Sequence, residues 1–401
     1  MNEGTICIPC LEMVPTKTAH SLFQLLNMTK RNLNCYLGKR SYIPVSKNNA
    51  LTYMEGEWTL IIPTEAYFSH TFLEQALEAG KDHEVTVFPF DGRNGEEYSF
   101  LIKREALKKL QAPYFIQDTA SEALNSEDIG FINDCTKYDV TLRIVRDGVD
   151  GEIDLCHTHF VERIDAWSPE VQNPVGTIAT PCMNVVNYEY VMSMASLLVN
   201  SNEQYKIIMT EEKPIAYARN YIVDQMHGAW IWWIDSDHLF PESVLNRLLS
   251  LDVPIAGAIA YQKRAPFYPC VYGELEGDGK SHAHLLWLPH KPFECFMTGT
   301  GCVVVKKEVF DKVSKPYFEY TKDLGEDMHF FMKTKEHGYK ILIDPSMRIG
   351  HMTSVPIDMY TYWRYNIEDL RKMVKKANKQ TKNAKIVFDE SVLSKKSTFS
   401  W

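Results

Sequence analysis

The 401-residue chain lacks any apolar run long enough to cross a bilayer. Its most apolar stretch, residues 229–234, is of strand length, whereas a membrane helix needs about 20 residues. The opening MNEGTICIPCLEM carries acids at Glu3 and Glu12 and has neither the basic nor the apolar region of a secretory leader. The dinucleotide fingerprint GxGxxG and the phosphate loop of Walker A are missing, and so is a nucleophile elbow. Positive charge is in deficit: 43 Lys and Arg stand against 52 Asp and Glu, a net charge of −9. No long-range field therefore draws nucleic acid to the whole molecule. The nine cysteines are an odd number scattered along the chain, which reads as reduced thiols of a cytoplasmic protein, not a disulfide framework.

What is present is an ordinary globular mixture, 45% hydrophobic and 24% charged, so disordered and fibrous classes fall away. The length exceeds one typical core and predicts two domains or three. The two halves echo each other in order. GTICIPC at residues 4–10 returns as GTIATPC at 176–182, and WTLIIPTEAYF at 58–68 returns as WIWWIDSDHLF at 230–240. KREALKKLQAPYF at 103–115 matches KKEVFDKVSKPYF at 306–318, and SEDIGFI at 126–132 matches GEDMHFF at 325–331. His157 with Ile164-Asp165 falls opposite His351 with Ile357-Asp358. A tandem duplication is expected, with domains at 1–168 and 174–360 and a junction near AWSPEVQNPVG, where Pro169 and Pro174 interrupt regular structure. Residues 361–401 form a separate aromatic and basic segment.

Periodicity in the second half alternates strand and helix. Strands are expected at 176–181, 205–210, 230–234 and 254–261, and helices at 188–200, 214–227 and 241–249. Such alternation predicts an α/β class, two tandem Rossmann-like domains with mostly parallel sheets and ligands at the strands' carboxyl ends. Between Tyr261 and Met297 the second copy carries an insertion of roughly thirty residues, longer than a usual connection and so a candidate functional loop.

The strongest motif is IWWIDSDHLFP. A buried strand runs into Asp235 and Asp237, whose carboxylates point to one side on extended backbone. Hard oxygen ligands so placed suit Mg²⁺ or Mn²⁺ carrying phosphate. The plainer reading is a capped strand-to-helix turn. Taken with IATPC around Pro181, AYARN at Arg219 and Asn220, TGTG at residues 298–301, the acids Glu326-Asp327 and a late His351, the segment from Val175 to Met352 resembles the GT-A-fold glycosyltransferases, in particular the family-two-like group.

That resemblance implies roles. Asp237, Asp235 and His351 would hold a divalent metal, Mn²⁺ suiting the imidazole better than Mg²⁺. Asp327 would be the general base, with Glu326 beside it. Pro181, Arg219, Asn220, Asp235, Ser236, Thr298 and Gly299 would line the nucleotide-sugar donor. Uridine is the favoured base, with Glu211 or Glu212 accepting from a base N–H, an arrangement a guanine also satisfies. The reaction would be inverting transfer to an acceptor hydroxyl on a glycan, small molecule, protein or modified DNA. A sugar nucleotidyltransferase is the neighbouring alternative, disfavoured because PCMNVVNYEY lacks a glycine-rich loop; a non-enzymatic carbohydrate-binding or assembly protein is the alternative of another class.

In the first half Pro63-Thr64-Glu65 replaces the acid pair, so that copy is expected to be degenerate: a scaffold, an acceptor surface or a dimer contact. Cys7-Ile8-Pro9-Cys10 has thioredoxin spacing, but its counterpart keeps only Cys182, which argues against redox chemistry. His282, His284 and His290 lack the cysteines or acids of a zinc site and read as part of an acceptor loop. Lys263 and Arg264, with Trp363, are further acceptor candidates. From Arg371 to Lys396 nine basic residues face two acids, the composition of a solvated helix face or of a polyanion contact. An unanchored, duplicated enzyme with such a tail also resembles viral enzymes that glycosylate hydroxymethylated bases in DNA, which requires an extruded base and a positive surface.

Overall fold

The computed structural model describes residues 2–10, 12–38, 43–92, 95–116, 126–146, 153–158, 168–211, 213–275, 282–353 and 356–380. Expectations placed on Glu212, Ile164, Asp165, Lys382, Lys385, Lys395 and Lys396 lie outside them, as does the Ala166-Trp167 end of the junction. The chain forms two compact units. One comprises Met1–Gln172 and Cys182–Glu212, the other Asn173–Pro181 and Lys213–Trp401. The helix Tyr188–Val199 and the strand Lys206–Thr210 therefore count with the first unit.

Both units are α/β. In the first, the strands stand in the order Leu33–Gly38, Gly4–Pro9, Trp58–Ile61, Gly95–Lys103, Val85–Gly92, Leu142–Ile144, and three of the five pairings are parallel. In the second, Thr177–Pro181, Trp230–Ile234, Cys302–Lys306, Ile255–Ala258, Ile341–Asp344 and Phe293–Cys295 follow one another. From Gly4–Pro9 and from Thr177–Pro181 onward, five strands in each unit share one spatial order and one sequence of parallel and antiparallel pairings. The strand Trp230–Ile234 is buried along its whole length, as an apolar run covered on both faces must be. The helix expected from 241 starts later, at Val244–Leu249, because the turn after Pro241 is closed first by Val244 N–H donating to Pro241 O at 3.0 Å.

Local devices recur as well. Gly4 lies against the Trp58 ring and Gly176 against the Trp230 ring, where a Cβ would fall 2.3 Å and 2.2 Å from ring carbons. Only glycine permits that approach of strand to indole. Asn48 brackets Tyr114 and Phe115 through their N–H groups and Phe115 O; Asn220 does the same for Tyr317 and Phe318. Phe115 stacks on Phe131 with centroids 4.5 Å apart, and Phe318 on Phe330 at 4.6 Å. Each ring is buried, a contribution of about 1.5–3 kcal/mol apiece. These clusters anchor the helices whose first turns carry Glu127-Asp128 and Glu326-Asp327.

Candidate metal centre and acid cluster

The second unit's strand Trp230–Ile234 delivers Asp235 to the edge of the sheet, where its N–H donates to Gly301 O at 3.1 Å. The chain turns at once, His238 N–H donating to Asp235 O at 3.1 Å, and His238 then pairs with His351 in a short antiparallel ladder. Cross-strand pairing stacks the two imidazoles, centroids 4.5 Å apart and 16° from parallel. Asp237 closes the set: its Oδ1 is 3.4 Å from His238 Nδ1 and 3.3 Å from His351 Nε2. Gly301 leaves the room, since a Cβ there would lie 2.9 Å from His238 Cε1.

Asp237 Oδ1 and both nitrogens of His238 are buried without a hydrogen-bond partner. Orphaned polar atoms inside a fold are costly, and three on one spot mark a place made for something else to bind. Ligand atoms of Asp237, His238 and His351 lie within 4.8 Å of one another, the one such grouping among the described residues. One carboxylate and two imidazoles fit a divalent transition-type cation, Mn²⁺ better than Mg²⁺. His351 Nδ1 lies 2.7 Å from the Tyr261 carbonyl, an orientation that leaves Nε2 turned to Asp237. Burial by itself would raise the Asp237 pKa, but the close imidazoles of His238 and His351 hold it well below the usual carboxylate range. Burial disfavours charge on His351, yet the nearby Asp237 carboxylate outweighs it and raises its pKa.

His238 is the member that sequence reasoning missed. Its signal was adjacency to Asp237, but a histidine one residue past an acid says nothing until strand pairing sets it opposite His351. Asp235 stands outside the trio. One of its oxygens lies 3.7 Å from the Arg219 guanidinium, which in turn donates a short hydrogen bond to Glu326. Arg219 and Glu326 are both buried, on the helices Ile215–Asp224 and Glu326–Glu336. Asp327 follows at the helix start, accepting from Met328 N–H at 2.7 Å. Burial pushes its pKa up, Arg219 pulls it down, and Glu326 and then Asp235 push it up again.

The segment from Thr298 to Gly301 joins the two clusters. A Cβ on Gly299 would lie 3.6 Å from Asp327 Oδ2, while Gly301 faces His238 and Asp235. Thr298 Oγ1 donates to Cys270 O at 3.1 Å. Pro181 is buried at the end of its strand, and Ser236 is half-buried between the two acids. Asn220 has both amide donors and both carbonyl lone pairs engaged by backbone, so it positions the Tyr317-Phe318 segment and has no bonding capacity left for a ligand. Glu211 belongs to the first unit.

The acceptor candidates separate. The Lys263 ammonium lies on Asp237 Oδ2, beside the candidate trio, while the neighbouring Arg264 is exposed. His284 is held at both nitrogens, Nδ1 2.7 Å from Pro269 O and Nε2 3.3 Å from Gln262, with its ring on Tyr272. His282 meets the edge of the same Tyr272 ring. Trp363 is half-buried on the helix Met359–Gln380, edge-on to Tyr360. On that helix Arg371 and Lys372 pair with Glu368 and Asp369. The thiol of Cys10 is pushed up to about 12 by burial and by Glu189, and Cys7 is raised further by burial, so neither has thiolate character. No helix of the described residues is long and apolar enough to cross a membrane.

No protein-family model and no curated protein matches the chain. Among solved structures, A197 from STIV is similar at 19% identity and a TM-score of 0.34, over 44% of this chain and 85% of that one. GalNAc-T7, crystallised with UDP, GalNAc and Mn²⁺, is similar at 13% identity and a TM-score of 0.33, over 63% of this chain and 56% of its own. A structure described as a nucleotide-diphospho-sugar transferase from Desulfovibrio desulfuricans G20 is similar at 10% identity and a TM-score of 0.29, over 38% of this chain and 84% of that one. Likenesses this slight carry no argument about activity.

Proposed function

We propose that the second unit is a metal-dependent glycosyltransferase of GT-A type, moving a sugar from a nucleotide-sugar donor to an acceptor hydroxyl with inversion. The observation that carries this reading is the orphaned trio Asp237, His238 and His351, joined to Asp327 by the glycine-rich 298–301 segment. Asp237, His238 and His351 would hold a divalent cation, which would supply neutralisation of the departing diphosphate. Asp327 takes the proton of the attacking hydroxyl, a task its raised pKa suits. Glu326 is tied to Arg219 and so is not a competing base. Asp235, beside Arg219 and outside the trio, would contact the donor's ribose. Inversion follows from one base with no second carboxylate assigned as nucleophile.

The recurrence of strand order and of the Asn48 and Asn220 brackets supports reading the two units as copies of one ancestor, the first without its acid pair. UDP is the preferred nucleotide and a glycan or small molecule the preferred acceptor. The test is transfer of a labelled sugar, with Mn²⁺, to a panel of oligosaccharides, hydroxymethylcytosine DNA and unmodified DNA. Transfer that a chelator abolishes and Asp327→Asn removes is expected; transfer by the Asp237→Ala protein in chelator would overturn the metal centre. A larger thermal shift with GDP than with UDP would overturn the uridine preference.

A further inference from the structure

A two-stranded ribbon in the first unit joins segments from opposite halves of the sequence. Met13–Pro15 runs antiparallel to Val185–Asn187, with Val14 opposite Val186, Met13 opposite Asn187 and Pro15 opposite Val185. In the correspondence that sets Gly4 against Gly176 and Trp58 against Trp230, Val14 answers to Val186. The pairing is therefore centred on a residue and its own counterpart. The flanking bonds are reciprocal: Thr16 N–H donates to Asn184 O at 2.9 Å, and Tyr188 N–H to Glu12 O at 3.0 Å. Thr16 corresponds to Tyr188 and Glu12 to Asn184. Strands paired in this manner are related by a twofold axis through Val14 and Val186, as in a symmetric dimer.

The helices that follow obey the same rule. Thr16–Met28 and Tyr188–Val199 leave the ribbon and pack against one another, Phe23 meeting Tyr190 edge-on with centroids 5.8 Å apart. Each then reaches a strand of the other half. On the first helix, Asn27 Nδ2 donates to Tyr205 O at 2.8 Å and Asn27 Oδ1 accepts from Tyr205 N–H at 2.9 Å, just ahead of the strand Lys206–Thr210. On the second, the Tyr188 hydroxyl donates to Leu37 O at 3.0 Å, within the strand Leu33–Gly38. Val14, Leu22 and Phe23 are buried, and so are Val186, Tyr190 and Met194. Helices covered over so much of their surface need a partner on the faces turned from their own sheet.

We infer that the first half of the chain serves as a built-in dimer partner for the second. The ribbon and its two helices are an isologous interface, one whose fitting partner is another copy of the same segment, here closed within one polypeptide. The inference rests on reading the two halves as copies of one ancestor, and it stands or falls without glycosyl transfer. It gives the first copy a task that needs no acid pair at Pro63-Thr64-Glu65, namely to cover Tyr188–Val199 and Lys206–Thr210.

The experiment places a specific protease site between Gln172 and Asn173 of the full chain and cuts the folded protein. The two pieces are expected to stay together as one species of the parent's mass, read by gel filtration with light scattering. Mixing cut protein labelled with a fluorescence donor and cut protein labelled with an acceptor then reads the rate at which pieces exchange. Val14→Ala and Val186→Ala each remove two buried carbons at the axis and leave the backbone pairing intact. Each should speed exchange about tenfold, and by comparable factors, because a twofold axis makes the two positions equivalent. Val87→Ala, an equal loss in a buried strand outside the ribbon, should leave exchange unchanged, as should Asp237→Asn in the second unit. Pieces that part or precipitate once cut, exchange moved by neither alanine at the axis or by only one of them, or exchange moved as much by Val87→Ala would each overturn the inference.

Discussion

The Lys263 ammonium rests on Asp237 Oδ2, the oxygen not shared with His238 and His351. The segment that carries it also supplies the Tyr261 carbonyl to His351 Nδ1. One short stretch of chain thus orients His351 and places a positive charge beside the trio of Asp237, His238 and His351. Lys263 is about 39% exposed at its side chain and can leave, so it would compete with a bound cation for Asp237.

Removing that competition should tighten metal binding. Lys263→Met is expected to raise Mn²⁺ affinity about fivefold, since a partly exposed ion pair is worth up to about 1 kcal/mol. Titration followed by the EPR signal of free Mn²⁺ measures it. An unchanged affinity would mean that Lys263 leaves Asp237 at no cost.

The trio and the acid outside it should respond differently. His238→Ala is expected to weaken Mn²⁺ binding by at least about tenfold, the loss seen when even a supporting partner of a metal ligand is removed. Asp235→Asn should change it much less, because Asp235 faces Arg219. Equal effects would place Asp235 among the ligands.

Asp327→Asn separates catalysis from stability. Transfer should fall by about 10²- to 10⁴-fold, the usual contribution of a general base. The folded pKa of Asp327 is raised above its unfolded value, so its stabilising contribution is complete below the unfolded pKa and is lost as pH rises through the folded one. At pH 7 the asparagine protein should therefore melt at the same temperature or higher, an advantage that disappears in acid. Kinetics of the parent protein should show an acid limb above the ordinary aspartate pKa, moving higher in Arg219→Lys if the replacement holds the acids less closely.

Lys47 tests the buried pair of the first unit. Lys47→Met leaves Asp128 and Glu127 buried without a cation, a cost of about 3–5 kcal/mol. Adding Asp128→Asn and Glu127→Gln should restore much of it, as read from urea midpoints. A single mutant as stable as the parent would show that water reaches these acids.

The α/β class and most elements of the second half were legible in the sequence, because a buried strand such as Trp230–Ile234 must be apolar throughout and a helix must repeat its apolar face. The positions of Asp237 just past a strand and of Asp327 in the first turn of a helix were also legible. What the one-dimensional pattern could not carry was partnership. His238 becomes a candidate ligand only through its ladder with His351, Lys263 a counter-ion only because its loop folds back over Asp237, and Asn220 a backbone bracket only once Tyr317 and Phe318 arrive beside it. The first unit's ribbon was hidden for the same reason: its strands Met13–Pro15 and Val185–Asn187 come from opposite halves of the sequence. Local periodicity is dictated by which face each residue must bury, and so it is written in neighbours along the chain. The chemistry of a site depends on a few ångströms between residues distant in sequence, and only tertiary packing sets those distances.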